Sequence, residues 1–78
     1  MTIYAKKMEL IEKYKDVLAL ISKAEEADGH KEDRGVCFDM LLENYESIQA
    51  GEEPKFKGVP ADFNYEEFGK DCAGLKRK

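Results

Sequence analysis

The segment DGHKEDRG, residues 28–35, comes closest in residue types to a metal or catalytic site. It contains His30, the only histidine of the chain, among acidic and basic side chains. A calcium loop alternates Asp or Asn at fixed positions, and a zinc-binding helix carries a His-to-His or Glu-to-His pair at helical spacing. Neither spacing is present. We therefore interpret the segment as a turn between two helices, with no metal.

The two cysteines, Cys37 and Cys72, are the other candidates for chemistry. A nucleophilic cysteine needs a base within reach, and the only histidine lies in the predicted turn. Both cysteines fall on apolar stripes at helical spacing, where a cysteine is usually a small core residue. Paired carboxylates lie at solvated positions, and no phosphate-binding glycine loop is present. We expect a protein that is not an enzyme and has no cofactor, with free, buried thiols in the cytoplasm.

The charge of the chain is unevenly distributed, although its net value is only −4. Residues 28–53 carry eight acidic side chains and two basic ones, whereas residues 54–78 carry six basic and four acidic ones. Phosphate binding needs a contiguous basic face, so we expect no direct contact with nucleic acid. No apolar run approaches the ~20 residues of a membrane span. The polarity favours another protein as the partner.

The apolar pattern predicts an all-α domain of three helices, at about residues 3–27, 31–50 and 64–76. The first two helices should form an antiparallel hairpin, and the third should dock across it. Gly29 suits the end of the first helix, and Asp28 or Asp33 can cap the second, which Gly51 ends. Gly35 either weakens the second helix slightly or lets another backbone approach.

The third helix has the clearest local pattern. Asn64 can cap it, with Glu67 completing a capping box, and Phe63 and Phe68 match a hydrophobic staple. Tyr65, Phe68, Cys72 and Leu75 then form its apolar stripe.

Residues 52–62, EEPKFKGVPAD, contain two prolines and a glycine and are expected to form an extended connection. Phe56 makes this connection either a strap over the core or a binding loop, and we favour the strap.

A first helix of 25 residues would be about 37 Å long, which is more than the second helix can cover. Its surplus apolar surface, Leu20 or the row Tyr4, Met8 and Ile11, therefore predicts a homodimer, although a monomer with frayed helix ends would also fit.

In size and charge the chain resembles small acidic proteins of phages and mobile elements that bind a host protein. The resulting hypothesis is an inhibitor or adaptor that docks on a basic surface of another protein. The expected contact residues are an acidic helix face and the neighbouring strap: Asp39, Glu43, Glu46, Lys55, Phe56 and Lys57.

Two alternatives remain open. The acidic face could serve only to keep a small domain in solution. The protein could also be an oligomer that sequesters a nucleotide or signalling molecule, with Lys6, Lys7, Lys55 and Lys57 lining a pocket between subunits.

Overall fold

The computed structural model describes residues 3–75, and this part of the chain is helical without strands. Its helices are α1 (Ile3–Lys13), α2 (Lys15–Ala27), α3 (Arg34–Gln49) and α4 (Tyr65–Asp71), followed by a 3-10 helix at Cys72–Gly74. The predicted all-α class is therefore confirmed. The predicted end of the last helix at residue 76 and the basic residues 76–78 lie outside the described residues.

The helical region over residues 3–27 has the predicted bounds, but it is interrupted at Tyr14, which lies between α1 and α2. Its backbone has φ −104° and ψ 19°. The Tyr14 ring packs edge-on against Phe63 and Phe68, with centroid distances of 5.8 and 5.1 Å. The two segments are about 16 and 20 Å long, and the helical hydrogen bonds of Tyr14 continue across the interruption, so the homodimer stays a prediction.

The turn between α2 and α3 follows its sequence pattern. Gly29 has φ +89°, the left-handed conformation typical of the position after a helix. Asp33, rather than Asp28, caps α3, since its carboxylate accepts a hydrogen bond of 2.9 Å from the Val36 N–H. This cap makes α3 begin at Arg34, three residues later than predicted. Gly51, with φ +81°, follows its end.

The last helix begins as predicted but is shorter. The Asn64 side chain accepts a hydrogen bond of 3.0 Å from the Glu67 N–H, and the rings of Phe63 and Phe68 are 5.9 Å apart. The Glu67 carboxylate lies 3.4 Å from the Lys13 ammonium. Phe68, Cys72 and Leu75 are buried, so the predicted apolar stripe faces the core.

The core lies between α3 and the other helices, and α2 makes the most extensive contact with α3. The buried apolar residues are Leu10, Ile11, Leu18, Ile21, Cys37, Phe38, Met40, Leu41, Leu42, Phe68, Cys72 and Leu75. α3 alone holds seven buried residues, against two in α2. α3 is therefore the central element of the fold. The packing of its buried faces fixes its backbone, and this fixes the position of the side chains on its exposed face.

Candidate functional site

The most exposed face of α3 carries the predicted acidic residues. Val36, Asp39, Glu43 and Glu46 follow one another at i, i+3, i+7 and i+10, which places them along one side of the helix. Val36 and Glu46 are exposed, while Asp39 and Glu43 are half-buried. We refer to Asp39, Glu43 and Glu46 as the acidic stripe. The structure thus brings together the three carboxylates that the sequence predicted to act as a group.

Asp39 and Glu43 of the acidic stripe lie close to lysines of the same chain. The Lys7 ammonium lies 3.0 Å from Asp39 Oδ1, and the Lys55 ammonium lies 3.9 Å from Glu43 Oε1. Lys7 also lies over the Phe38 ring, 5.8 Å from its centroid. Pairs between partly exposed groups contribute little to stability. Arg or Lys side chains of a partner can therefore replace Lys7 and Lys55 at a small cost in free energy.

The strap, residues 52–62, crosses the core beside the acidic stripe and is fixed there by Asn44. This asparagine is fully buried in α3. Its Oδ1 accepts from the Phe56 N–H at 2.9 Å, and its Nδ2 donates to the Phe56 carbonyl at 3.1 Å. The same Nδ2 lies 3.4 Å from the Tyr65 hydroxyl. One side chain thus pairs both backbone groups of Phe56.

Phe56 packs half-buried against the hydrophobic core, as the strap interpretation requires. Its ring is therefore less available to a partner than the sequence suggested. Lys55 and Lys57, on either side of it, are exposed. Of the three predicted strap contacts, the two lysines remain accessible and Phe56 anchors the segment.

A second contact of the strap involves Gly58 and α2. Gly58 has φ +100°, and a Cβ at this position would lie 2.8 Å from the Leu20 carbonyl oxygen and 2.9 Å from Ile21 Cα. Only glycine satisfies both the backbone conformation and this close approach. The strap is thus held to both helices of the α2–α3 pair.

His30 lies exposed in the turn after α2. Among residues 3–75, no three His, Cys, Asp or Glu side chains are grouped closely enough to hold a metal ion. Asp33, three residues after His30, serves as the cap of α3.

The two cysteines are free and buried, as predicted. Burial raises the pKa of the Cys72 thiol to about 11, with a further contribution from the Asp71 charge. Burial also raises the pKa of Cys37, as does the nearby Glu32. Both thiols are therefore protonated near neutral pH, and a protonated thiol is a poor nucleophile.

A polar cluster joins the break in the first helical segment to α4. The Tyr14 hydroxyl donates to Asp71 Oδ2 at 2.5 Å, and the Lys13 ammonium lies 2.6 Å from the same oxygen. These hydrogen bonds, from Lys13 first and then Tyr14, lower the pKa of Asp71. Burial, followed by the hydrogen bond to Asp71, raises the pKa of Tyr14.

This cluster predicts a pH-dependent contribution to stability, which the variant Tyr14→Phe isolates. Near neutral pH, loss of the hydroxyl should lower the free energy of unfolding by about 1–2 kcal/mol, as expected for a partly exposed hydrogen bond to a charged group. The difference from wild type should shrink as the pH falls below the ordinary Asp pKa of 3.8 and through the lowered pKa of folded Asp71, where its carboxylate becomes protonated. It should also shrink above pH 10, where unfolded Tyr14 ionises.

Urea unfolding followed by circular dichroism across this pH range measures the difference. The control is Tyr4→Phe, which removes a hydroxyl from an exposed side chain. A Tyr14→Phe deficit that is constant from pH 3 to 11 would contradict the assignment of the hydroxyl to Asp71.

An open groove lies between α1 and the start of α3. Its volume is about 480 Å³, and it is lined by Tyr4, Lys7, Met8, Ile11, Glu12, Asp33, Arg34 and Gly35. Of the four lysines in the nucleotide hypothesis, only Lys7 lines this groove. Since Lys7 is paired with Asp39, an anionic ligand would have to compete with that carboxylate.

No protein-family model, curated protein or solved structure matches this chain. Within residues 3–75, no helix is both long and apolar enough to cross a bilayer.

Sequence reasoning missed Asn44, which organises the strap. A signal was present, because Asn44 falls between Leu41 and Ile48 on an apolar stripe of α3. A polar residue at such a position must find a partner in the core. The partner itself, the Phe56 peptide, follows no sequence pattern.

Proposed function

We propose that the protein is a non-enzymatic binding module that docks on another protein through the acidic stripe, as an inhibitor or adaptor. The observation that carries this proposal is the position of Asp39, Glu43 and Glu46 on the exposed face of the most deeply buried helix. The other faces of α3 hold its backbone in place. A partner would therefore meet a preorganised row of carboxylates and lose little affinity to ordering.

The partner surface that fits the stripe is basic. Asp39 and Glu46 are seven residues apart, so the row extends over roughly 10 Å along α3. The stripe belongs to a chain with net charge −4, which favours the approach of a positively charged surface. The Lys7 and Lys55 ion pairs are partly exposed, and a partner's Arg or Lys can replace them.

The strap would contribute selectivity. Lys55 and Lys57 stand beside the stripe and repel a partner whose positive charge extends over them. Asn44 and Gly58 fix the strap, so this pattern of charge is also held in place. The two free cysteines fit a reducing compartment such as the cytoplasm.

The proposal is tested by affinity capture with two charge-reversal variants. The stripe variant replaces Asp39, Glu43 and Glu46 by lysine. The matched control replaces the exposed residues Glu9, Asp16 and Glu26 of α1 and α2 by lysine, with the same change in net charge. The lysate comes from the source organism, or from its host if the gene is carried by a phage.

Captured proteins are identified by mass spectrometry. We expect a specific partner with wild type and with the control, and loss of that partner with the stripe variant. Recovery of the same partner by all three proteins would remove the stripe from the binding surface.

A further inference from the structure

We propose that the groove between α1 and α3 is a surface for self-association, occupied by Tyr4 and Met8 of a second copy of this chain. Tyr4 is 73% exposed and Met8 46% exposed, and they lie one turn apart on α1. Ile11, one turn further on, is buried at the same groove. Each copy thus carries both projecting apolar side chains and the recess beside them, as a two-fold interface requires.

Gly35 gives independent support, because the fold does not require a glycine there. A Cβ at Gly35 would meet only Asp33 Oδ1, at 3.4 Å, which is an ordinary contact. Glycine in a helix costs up to ~1 kcal/mol relative to alanine. The missing side chain instead keeps the groove open, since Gly35 is one of its lining residues. An approaching second copy explains this use of glycine.

The charges around the groove favour a second copy over a strongly charged partner. Lys7 and Arg34 are basic, and Glu12 and Asp33 are acidic, so the formal charges balance. Arg34 Nη1 lies 4.0 Å from Glu12 Oε2. A two-fold axis can place the basic residues of one copy opposite the acidic residues of the other. A nucleotide or a highly basic protein gains no net attraction from this rim.

The groove is small, so the expected association is weak. Interfaces that bury less than about 1,200 Å² belong to transient complexes. Sedimentation equilibrium from about 10 to about 500 micromolar therefore covers the appropriate range of dissociation constants. We expect the average mass of the wild type to rise from that of a monomer towards that of a dimer.

Two variants and one control locate the contact. Met8→Glu places a charge in the groove and should weaken association at least tenfold. Gly35→Gln fills the groove with a better helix former, so it should weaken association without lowering the melting temperature. Leu20→Glu is the matched control, because Leu20 is 43% exposed and lies outside the groove.

The control should associate like wild type. A wild type that stays monomeric throughout this range would overturn the proposal, and so would equal weakening by Met8→Glu and Leu20→Glu. These variants leave the acidic stripe unchanged, so failure here does not bear on partner binding.

Discussion

Replacing Asn44 by alanine should lower the free energy of unfolding by about 2–4 kcal/mol, because it leaves two backbone groups of the strap without their partner. The Phe56 N–H and carbonyl are both paired with the Asn44 side chain, which is fully buried. A domain of this size has a total stability of only about 4–12 kcal/mol. The variant should therefore unfold at a markedly lower urea concentration.

Asn44→Ala removes both hydrogen bonds and side-chain volume. The companion variant Asn44→Asp keeps the volume and so shows the effect of the hydrogen bonds without a change in volume. It keeps the size and one acceptor but loses the donor to the Phe56 carbonyl, and it introduces a buried carboxyl whose pKa burial will raise. The protonated form is then favoured in the folded state. The deficit relative to wild type should be smallest below the usual Asp pKa of about 3.9 and should grow as the pH rises.

Urea unfolding of both variants at several pH values measures these deficits. The exposed α3 residue Gln49, replaced by alanine, is the control and should be nearly neutral. A deficit below about 1 kcal/mol for Asn44→Ala at neutral pH would contradict the role of Asn44 in fixing the strap.

Replacing Gly58 by alanine should lower the free energy of unfolding by about 2–4 kcal/mol through two separate effects. The residue has φ +100°, where an L side chain is strained, and its Cβ would overlap the backbone of α2 at Leu20 and Ile21. Backbone atoms of a packed helix cannot move aside as the end of a flexible side chain can. The strap must therefore shift or detach.

Gly29→Ala is the matched control for the backbone effect. Gly29 has a similar φ of +89°, but nothing lies within 4 Å of a Cβ there. Its replacement should cost about 1–2 kcal/mol, from the left-handed conformation alone. Thermal and urea unfolding give the stability loss of each variant. The loss in Gly58→Ala minus the loss in Gly29→Ala is the part caused by the close approach to α2. Equal losses in the two variants would show that the strap does not press on α2.

The features predicted correctly are those set by neighbouring residues in the chain. The helical class follows from apolar spacing, and the turn at residues 28–33 follows from Gly29 and the capping carboxylate of Asp33. Asn64 and the pair Phe63 and Phe68 gave the start of α4 correctly. In each case the interacting groups lie within a few residues, so the sequence pattern contains both partners.

The features that sequence reasoning missed depend on tertiary contacts. No proline or glycine marks the break at Tyr14, which coincides with packing against Phe63 and Phe68, about 50 residues further on. The Asn44 contact with Phe56 and the close approach of Gly58 to α2 likewise require the strap to be in place.

The candidate site was predictable in part. Helical periodicity alone places Asp39, Glu43 and Glu46 on one face, and the structure shows that arrangement. The ion pairs of this face were not predictable, because Lys7 reaches Asp39 only after α1 packs on α3. The inward packing of Phe56 also depends on its contact with Asn44.

The affinity of the purified protein for its captured partner, measured at rising salt, tests the docking role of the acidic stripe most directly. We expect the stripe variant to bind at least tenfold more weakly than wild type at low salt and to lose much of the salt dependence, since the charges that attract the partner are reversed. The control with Glu9, Asp16 and Glu26 replaced by lysine should bind within about threefold of wild type, because its changes act only through screened long-range charge. Equal losses in the two variants, or wild-type affinity in the stripe variant, would contradict docking through Asp39, Glu43 and Glu46.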